Sequence, residues 1–182
     1  GEDPLASGKA VSFNDGGDSG AGYGNIPSSA GIPELTDFSV SMWVNQSPDD
    51  GGVSSLFAKG EGAGDPFAVA TVGGALVWFS GGTQTLTVDG AIPPGERTHF
   101  VTVFETIDGV PTVAFFINGV EVGREENVDS FDDSNASLLQ IGALNGSFGF
   151  TGVIDDFQLY GQALDEVGAA FLFENPGELI GG

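Results

Sequence analysis

The chain reads as an all-β sandwich or barrel, and three observations predict it. Short runs of alternating apolar and polar residues recur along its 182 residues, separated by Gly/Asp/Ser/Asn clusters. Long segments with helical periodicity are missing. Glycine contributes 31 residues, and the 15 phenylalanines outnumber the other aromatics. One domain with a sizeable core is expected, since all-β sandwiches often reach roughly 200 residues.

Strands are predicted over residues 10–14, 22–26, 38–46, 53–59, 67–72, 75–80, 83–88, 98–106, 111–117, 120–124, 137–142 and 151–160. Val113, Phe115 and Ile117 alternate with Ala114, Phe116 and Asn118, and Asn118-Gly119 is a two-residue hairpin signal. Gly73-Gly74 predicts a second hairpin between 67–72 and 75–80. The one helix candidate is 165–174, with Asp165 as N-cap and Val167, Ala170 and Phe171 on one side. Pro176-Gly177 stops it. No internal repeat or second domain is evident.

The segment FGFTGVIDDFQLYGQAL, residues 148–164, carries adjacent carboxylates inside an apolar strand. Strict alternation puts Val153, Asp155, Phe157 and Leu159 on one face and Ile154, Asp156, Gln158 and Tyr160 on the other. Either way, one acid lies in line with buried residues and needs a partner. With only four Lys and Arg in the chain, a metal cation is the expected partner.

The charge is lopsided: 26 acids against four bases, a formal net charge of −22. Nucleic acid and anionic membrane need Lys and Arg, so neither is an expected partner. The acids suit a high-salt or calcium-rich setting, or serve solubility alone. No cysteine is present, which leaves the redox compartment open. No apolar stretch is long enough to span a bilayer, and Gly1 to Ala10 lacks the pattern of a signal peptide. The ends, GEDPLASG and NPGELIGG, are linker-like, so a module of a larger protein with flanking domains is expected.

The 148–164 segment resembles the C-terminal signature of the laminin-G-like, concanavalin A-like jelly-roll family, G-x-I-D-[DE]-[VF]-x-[IL]-Y followed by A-L and a short helix. AVSFNDGGDSGAGYGNIP (10–27), FSVSMWVNQ (38–46), SLFAKG (55–60), PPGERTHFVTVF (93–104), VAFFINGVEVG (113–123) and LLQIG (138–142) follow the family's order. Many members carry Trp-His-His-Val where this chain has Arg97-Thr98-His99-Phe100. The resemblance implies a two-sheet antiparallel jelly-roll over residues 1–182, with a core of about 9–174 and one short C-terminal helix. It also implies neighbouring first and last strands, where many members hold a structural calcium. Asp155 would then be the ligand from the last strand, with Asp18, Asn14 or Asp15 from the first turn. The alternative is that Asp155 caps backbone amides of that turn. Calcium takes six to eight oxygen ligands, and this turn is rich in them. The acidic loop Asp129–Asn135 is a further cluster of oxygen donors, either a rim calcium site or a solvated loop.

Laminarinase-like glycoside hydrolases share the jelly-roll and use a strand E-[IL]-D-[IFV]-x-E. The aligned run here, Val153-Ile154-Asp155-Asp156-Phe157-Gln158, has lost both glutamates, so a non-enzyme is expected. The single histidine, His99, lies in an apolar strand and reads as a half-buried structural residue. Trp43 is expected to pack in the core. Trp78 either closes the core or stacks on a sugar ring.

Two functions follow. One is an extracellular, calcium-organised carbohydrate-binding module. Trp78, Tyr23 and Phe148 would be its platforms, and Asp132, Asp133 and Asn135 its polar contacts. The other is an adhesion or spacer module of a large surface protein, contacting a cell-surface protein or no ligand. Fold alone does not choose between them.

Overall fold

The computed structural model describes residues 11–13, 23–26, 37–50, 52–59, 67–128, 139–144 and 147–180. Every predicted strand is present, with ends displaced by no more than two residues. In chain order they are β1 (Val11–Phe13), β2 (Gly24–Ile26), β3 (Phe38–Gln46), β4 (Val53–Lys59), β5 (Phe67–Val72) and β6 (Ala75–Ser80). Then come β7 (Thr83–Val88), β8 (Arg97–Ile107), β9 (Val110–Ile117), β10 (Val120–Glu126), β11 (Leu139–Ile141) and β12 (Gly152–Tyr160), followed by helix α1 (Glu166–Glu174). Two six-stranded antiparallel sheets result: sheet A in the order β1-β12-β3-β8-β9-β10, and sheet B in the order β2-β11-β4-β5-β6-β7. The first and last strands are neighbours, Val11 pairing with Ile154 and Phe13 with Gly152.

The alternation seen in the sequence builds the core. Phe38, Val40, Met42 and Val44 of β3, with Phe100 and Phe104 of β8, face Phe57, Phe67, Val69, Leu76 and Trp78 of sheet B. Trp78 is the centre of an aromatic stack, 5.1 Å from Phe67 and 6.0 Å from Phe104. The tight turns follow their residues: Asn118 and Gly119 both have positive φ (49° and 81°), as a two-residue hairpin turn demands. Gly119 has a second task, since a Cβ there would lie 2.9 Å from Ala170 Cα of α1. The hairpin tip thus lets the helix approach.

Helix α1 starts at the predicted cap, with Gly168 N donating to Asp165 Oδ1 at 2.9 Å. It lies on the outer face of sheet A, where Ala169 and Leu172 pack with Leu164 against Val101, Val103, Ala114 and Phe116. The fold therefore has three layers, with one sheet roofed and the other not roofed by any described helix.

One predicted pattern fails. Residues Asp155 and Gln158 of β12 pair with Trp43 and Ser41 of β3, so Asp156 and Phe157 together oppose Met42. This is a β-bulge, with Asp156 at φ 51°. The bulge resets the alternation: Phe157 and Leu159 join Ile154 against the core, while Gln158 and Tyr160 share the outer face with Asp155.

Candidate functional site

Among the described residues, two groups of side chains stand out, one on each outer face. On sheet A, β3, β8 and β12 turn Ser39, Ser41, Trp43, His99, Asp155, Gln158 and Tyr160 outward beneath α1. Ser41 Oγ lies 2.9 Å from His99 Nε2, but both residues are 1% exposed. The His99 ring is closed in by Trp43 (5.1 Å between centroids) and Phe173 (6.1 Å). Burial lowers its pKa to about 4, with the nearby Arg97 charge adding and the Asp156 charge opposing. His99 is thus a neutral structural residue, more deeply buried than the half-buried one expected. Trp43 is buried as expected, but under α1 rather than between the sheets, stacked on Phe173 at 5.8 Å.

The carboxylates of β12 serve the same roof. Asp156 Oδ2 accepts from Gly177 N (2.8 Å), and its Oδ1 accepts from Gln158 Nε2 (2.7 Å). Gln158 Nε2 also donates to the Glu178 carbonyl (3.0 Å), and Tyr160 Oη donates to Gln158 Oε1. These bonds tie the strap after the helix, Gly177 to Ile180, onto the strand. Asp155 has a protein cation as its partner: the Arg97 guanidinium lies 3.7 Å away and also covers the Trp43 ring at 4.3 Å. The other Asp155 oxygen, Oδ1, accepts from the Asp156 backbone N at 2.9 Å. Phe13, the last described residue before the acidic turn, pairs three positions from Asp155 along β12, roughly 10 Å away. Asn14, Asp15 and Asp18, and the loop residues Asp132, Asp133 and Asn135, lie outside the described residues. Among the described residues no group of three or more His, Cys, Asp or Glu side chains could hold a metal ion.

Sheet B presents a different surface. Alternation sends Phe67, Val69 and Trp78 inward, and Ala68, Ala70 and Phe79 outward. Register aligns Ser55 with Ala70, and Ala68 with Phe79 and then Gln84. A half-enclosed groove of about 320 Å³ lies over these small residues, walled by Val53, Phe79, Leu144 and Phe148. Phe148 stands at the rim, 55% exposed, with φ 52°. Its carbonyl is held by Ser55 N at 2.7 Å. The Ser55 hydroxyl is buried at the groove without a hydrogen-bond partner.

Of the three predicted aromatic platforms, only Phe148 lines this groove. Trp78 is 0% exposed and stacked within the core, so it closes the core instead of offering a face to a sugar. Tyr23 is 43% exposed and enters β2, at the opposite edge of sheet B. Sequence reasoning missed Val53, Ser55, Phe79 and Gln84. The available signal was the alternation of Ala68 and Ala70 with Phe67 and Val69, which leaves only small residues on one face of a strand.

Two six-stranded sheets with this strand order define a lectin-like jelly-roll. The chain belongs to the concanavalin A-like lectin/glucanases superfamily, whose laminin-G-type family model matches residues 18–167. No curated protein sequence matches it. Among solved structures, the CBM40 of the Ruminococcus gnavus IT-sialidase, bound to α2,3-sialyllactose, is similar, with a TM-score of 0.70 at 16% identity. That match covers 91% of this chain and 96% of the other. A heptameric SAP-like pentraxin from Limulus polyphemus is similar with a TM-score of 0.67 at 16% identity, over 90% and 81% of the two chains. The binding domain of botulinum neurotoxin DC, in complex with rat synaptotagmin II, gives a TM-score of 0.62 at 13% identity. It matches over 91% of this chain but 41% of the other.

Proposed function

We propose that the chain is a non-catalytic, extracellular carbohydrate-binding module of a larger secreted or cell-surface protein. The observation that carries this reading is the half-enclosed groove on the outer face of sheet B, with an exposed aromatic at its rim whose carbonyl accepts from Ser55 N. Concave, mostly apolar sites with a few placed polar groups are the usual form of a small-ligand site. The CBM40 neighbour, matched nearly end to end, is a sugar-binding domain of the same fold.

The non-catalytic part rests on β12. The positions aligned with a jelly-roll hydrolase's acids, Val153, Asp155 and Gln158, do share one face, but two of the three are not acids. Gln158 is further buried beneath the strap. A glycan array screened with the purified domain in calcium buffer, with a chelator control, tests the reading. Binding to a defined glycan class is expected, and a blank array from folded protein removes it.

Calcium stabilisation belongs to the same proposal, resting on the oxygen-rich turn of Asn14, Asp15 and Asp18 together with Asp155 on the last strand, which pairs with the first. A ligand that binds only the folded state adds about 2.7 kcal/mol at roughly a hundred times its Kd. The melting temperature is therefore expected to rise in calcium, and equal values in calcium and chelator remove the claim.

A second reading, an adhesion module that contacts a surface protein, is favoured by the scarcity of polar groups in the groove, where Ser55 and Gln84 are the polar side chains. The botulinum neurotoxin binding domain, of similar fold, is seen with synaptotagmin. A blank glycan array together with calcium-dependent stability points to this alternative.

A further inference from the structure

The described bases are placed away from the groove, and this bears on what the groove accepts. Arg124 is bound by Glu121 and Glu105 at 2.8 and 3.0 Å on β10. Arg97 faces Asp155 on the outer side of sheet A. Lys59 is buried and pairs across the strands with Phe67, on the core side. Lys9, the fourth base, lies outside the described residues. Among the described residues no charged side chain lines the groove. Around it stands a protein of net charge −22, whose field repels anions. A carboxylate in this apolar setting would be stripped of water with no guanidinium to replace it.

What the groove does offer is specific. Its floor includes Ala68 and Ala70, whose small side chains leave room above the sheet. Phe148 stands exposed at the rim in a positive-φ backbone conformation that bulky residues rarely adopt. The buried Ser55 hydroxyl has no partner, an exception of the kind that a ligand group resolves, and the exposed Gln84 amide stands on the wall. An apolar groove with an exposed aromatic, one or two hydrogen-bonding groups and, among the described residues, no charge matches the ring of an uncharged sugar.

We propose that this groove binds a mono- or disaccharide unit of a neutral glycan, with the pyranose face on Phe148 and a hydroxyl on Ser55, and rejects sialylated and uronate-containing glycans. This rests on the reading of the chain as a carbohydrate-binding module and adds the class of glycan to it. The discrimination against anions comes from desolvation without compensation, which is a strong basis for specificity.

Calorimetric titration of the whole chain with lactose, cellotetraose and laminaritetraose, against α2,3-sialyllactose as the anionic probe, tests the proposal. At least one neutral probe is expected to bind, with affinity flat between low and high NaCl. Sialyllactose is expected to bind at least tenfold more weakly than lactose or not at all. Phe148→Ala and Ser55→Val, with unchanged melting temperature, should each weaken the neutral probe by tenfold or more. Sialyllactose binding as tightly as lactose overturns the rejection of anions while leaving the carbohydrate-binding reading in place. Neutral binding that survives both variants overturns the groove as the site. If no probe binds while the array finds a ligand, this proposal alone falls. A blank array removes the reading beneath it as well.

Discussion

The outer faces of the two sheets are built to opposite ends. On sheet A, residues that in another setting would do chemistry (Ser41, His99, Asp155, Asp156, Gln158, Tyr160) are spent on holding α1 and its strap. On sheet B the groove is lined mostly by Ala, Val and Phe, with Ser55 and Gln84 as its polar side chains, residues of little intrinsic reactivity. Reactive residue types therefore mark the covered face, and the open face is recognised by shape. A serine–histidine contact at hydrogen-bond distance is no sign of catalysis when both partners are buried and the imidazole lies against a tryptophan and a phenylalanine.

The contrast can be broken most severely at the roof. Leu172→Ala removes the buried contact of α1 with sheet A and is expected to cost about 2–5 kcal/mol, read by denaturant unfolding. A matched truncation at the open rim, Phe148→Ala, should leave the midpoint nearly unchanged. The next effect is set by pH. The folded state keeps His99 neutral down to about pH 4, whereas the unfolded chain takes up a proton near its ordinary value of about 6.5. The unfolded state thus binds more protons in this window, so stability is full above about pH 6.5 and falls as pH drops towards 4. The full loss is about 3 kcal/mol. His99→Gln should flatten that slope relative to the parent, and an unchanged slope would show that other groups dominate it.

Two serines sharpen the comparison at smaller scale. Ser39 Oγ donates to the Gln162 carbonyl at 3.0 Å and accepts from Leu164 N at 2.9 Å, which fixes the entry to α1. Ser39→Ala is expected to cost about 1–2 kcal/mol. Ser55 on the open face has no partner to lose, so Ser55→Ala should lie within about 0.5 kcal/mol of the parent or stabilise it. A large loss at Ser55 would show that its hydroxyl has a structural partner after all.

The strands were legible because alternation and turn chemistry agree along most of the chain, as at Asn118-Gly119 and Gly73-Gly74. The helix was legible from Asp165 and from Pro176-Gly177. Alternation does not say which face meets the other sheet, and for that reason Trp78 was open to two roles until its stack on Phe67 and Phe104 was seen. The bulge at Asp156 carries no Gly or Pro to announce it. Strict period two therefore placed Phe157 and Leu159 with Asp155, and the pairing with β3 separates them. Asp155 was expected to need a metal because bases are scarce, yet one of the four lies beside it, 58 residues earlier in the chain. The groove was out of reach for a different reason. Its walls come from β4 to β7 and from the segment before β12, and no local motif records that meeting.

Asp156 is an extra residue in β12. Without it, Asp155, Phe157, Gln158, Leu159 and Tyr160 would alternate regularly against β3, so the sheet does not require it. What it supplies is the carboxylate that receives Gly177 N. Pairing and fastening are in this sense carried by different residues of one strand: Asp155 and Gln158 keep the register with β3, while Asp156 holds the strap. Whether the outer surface of sheet A stays sealed or becomes a second face for contact therefore hangs in part on a single carboxylate.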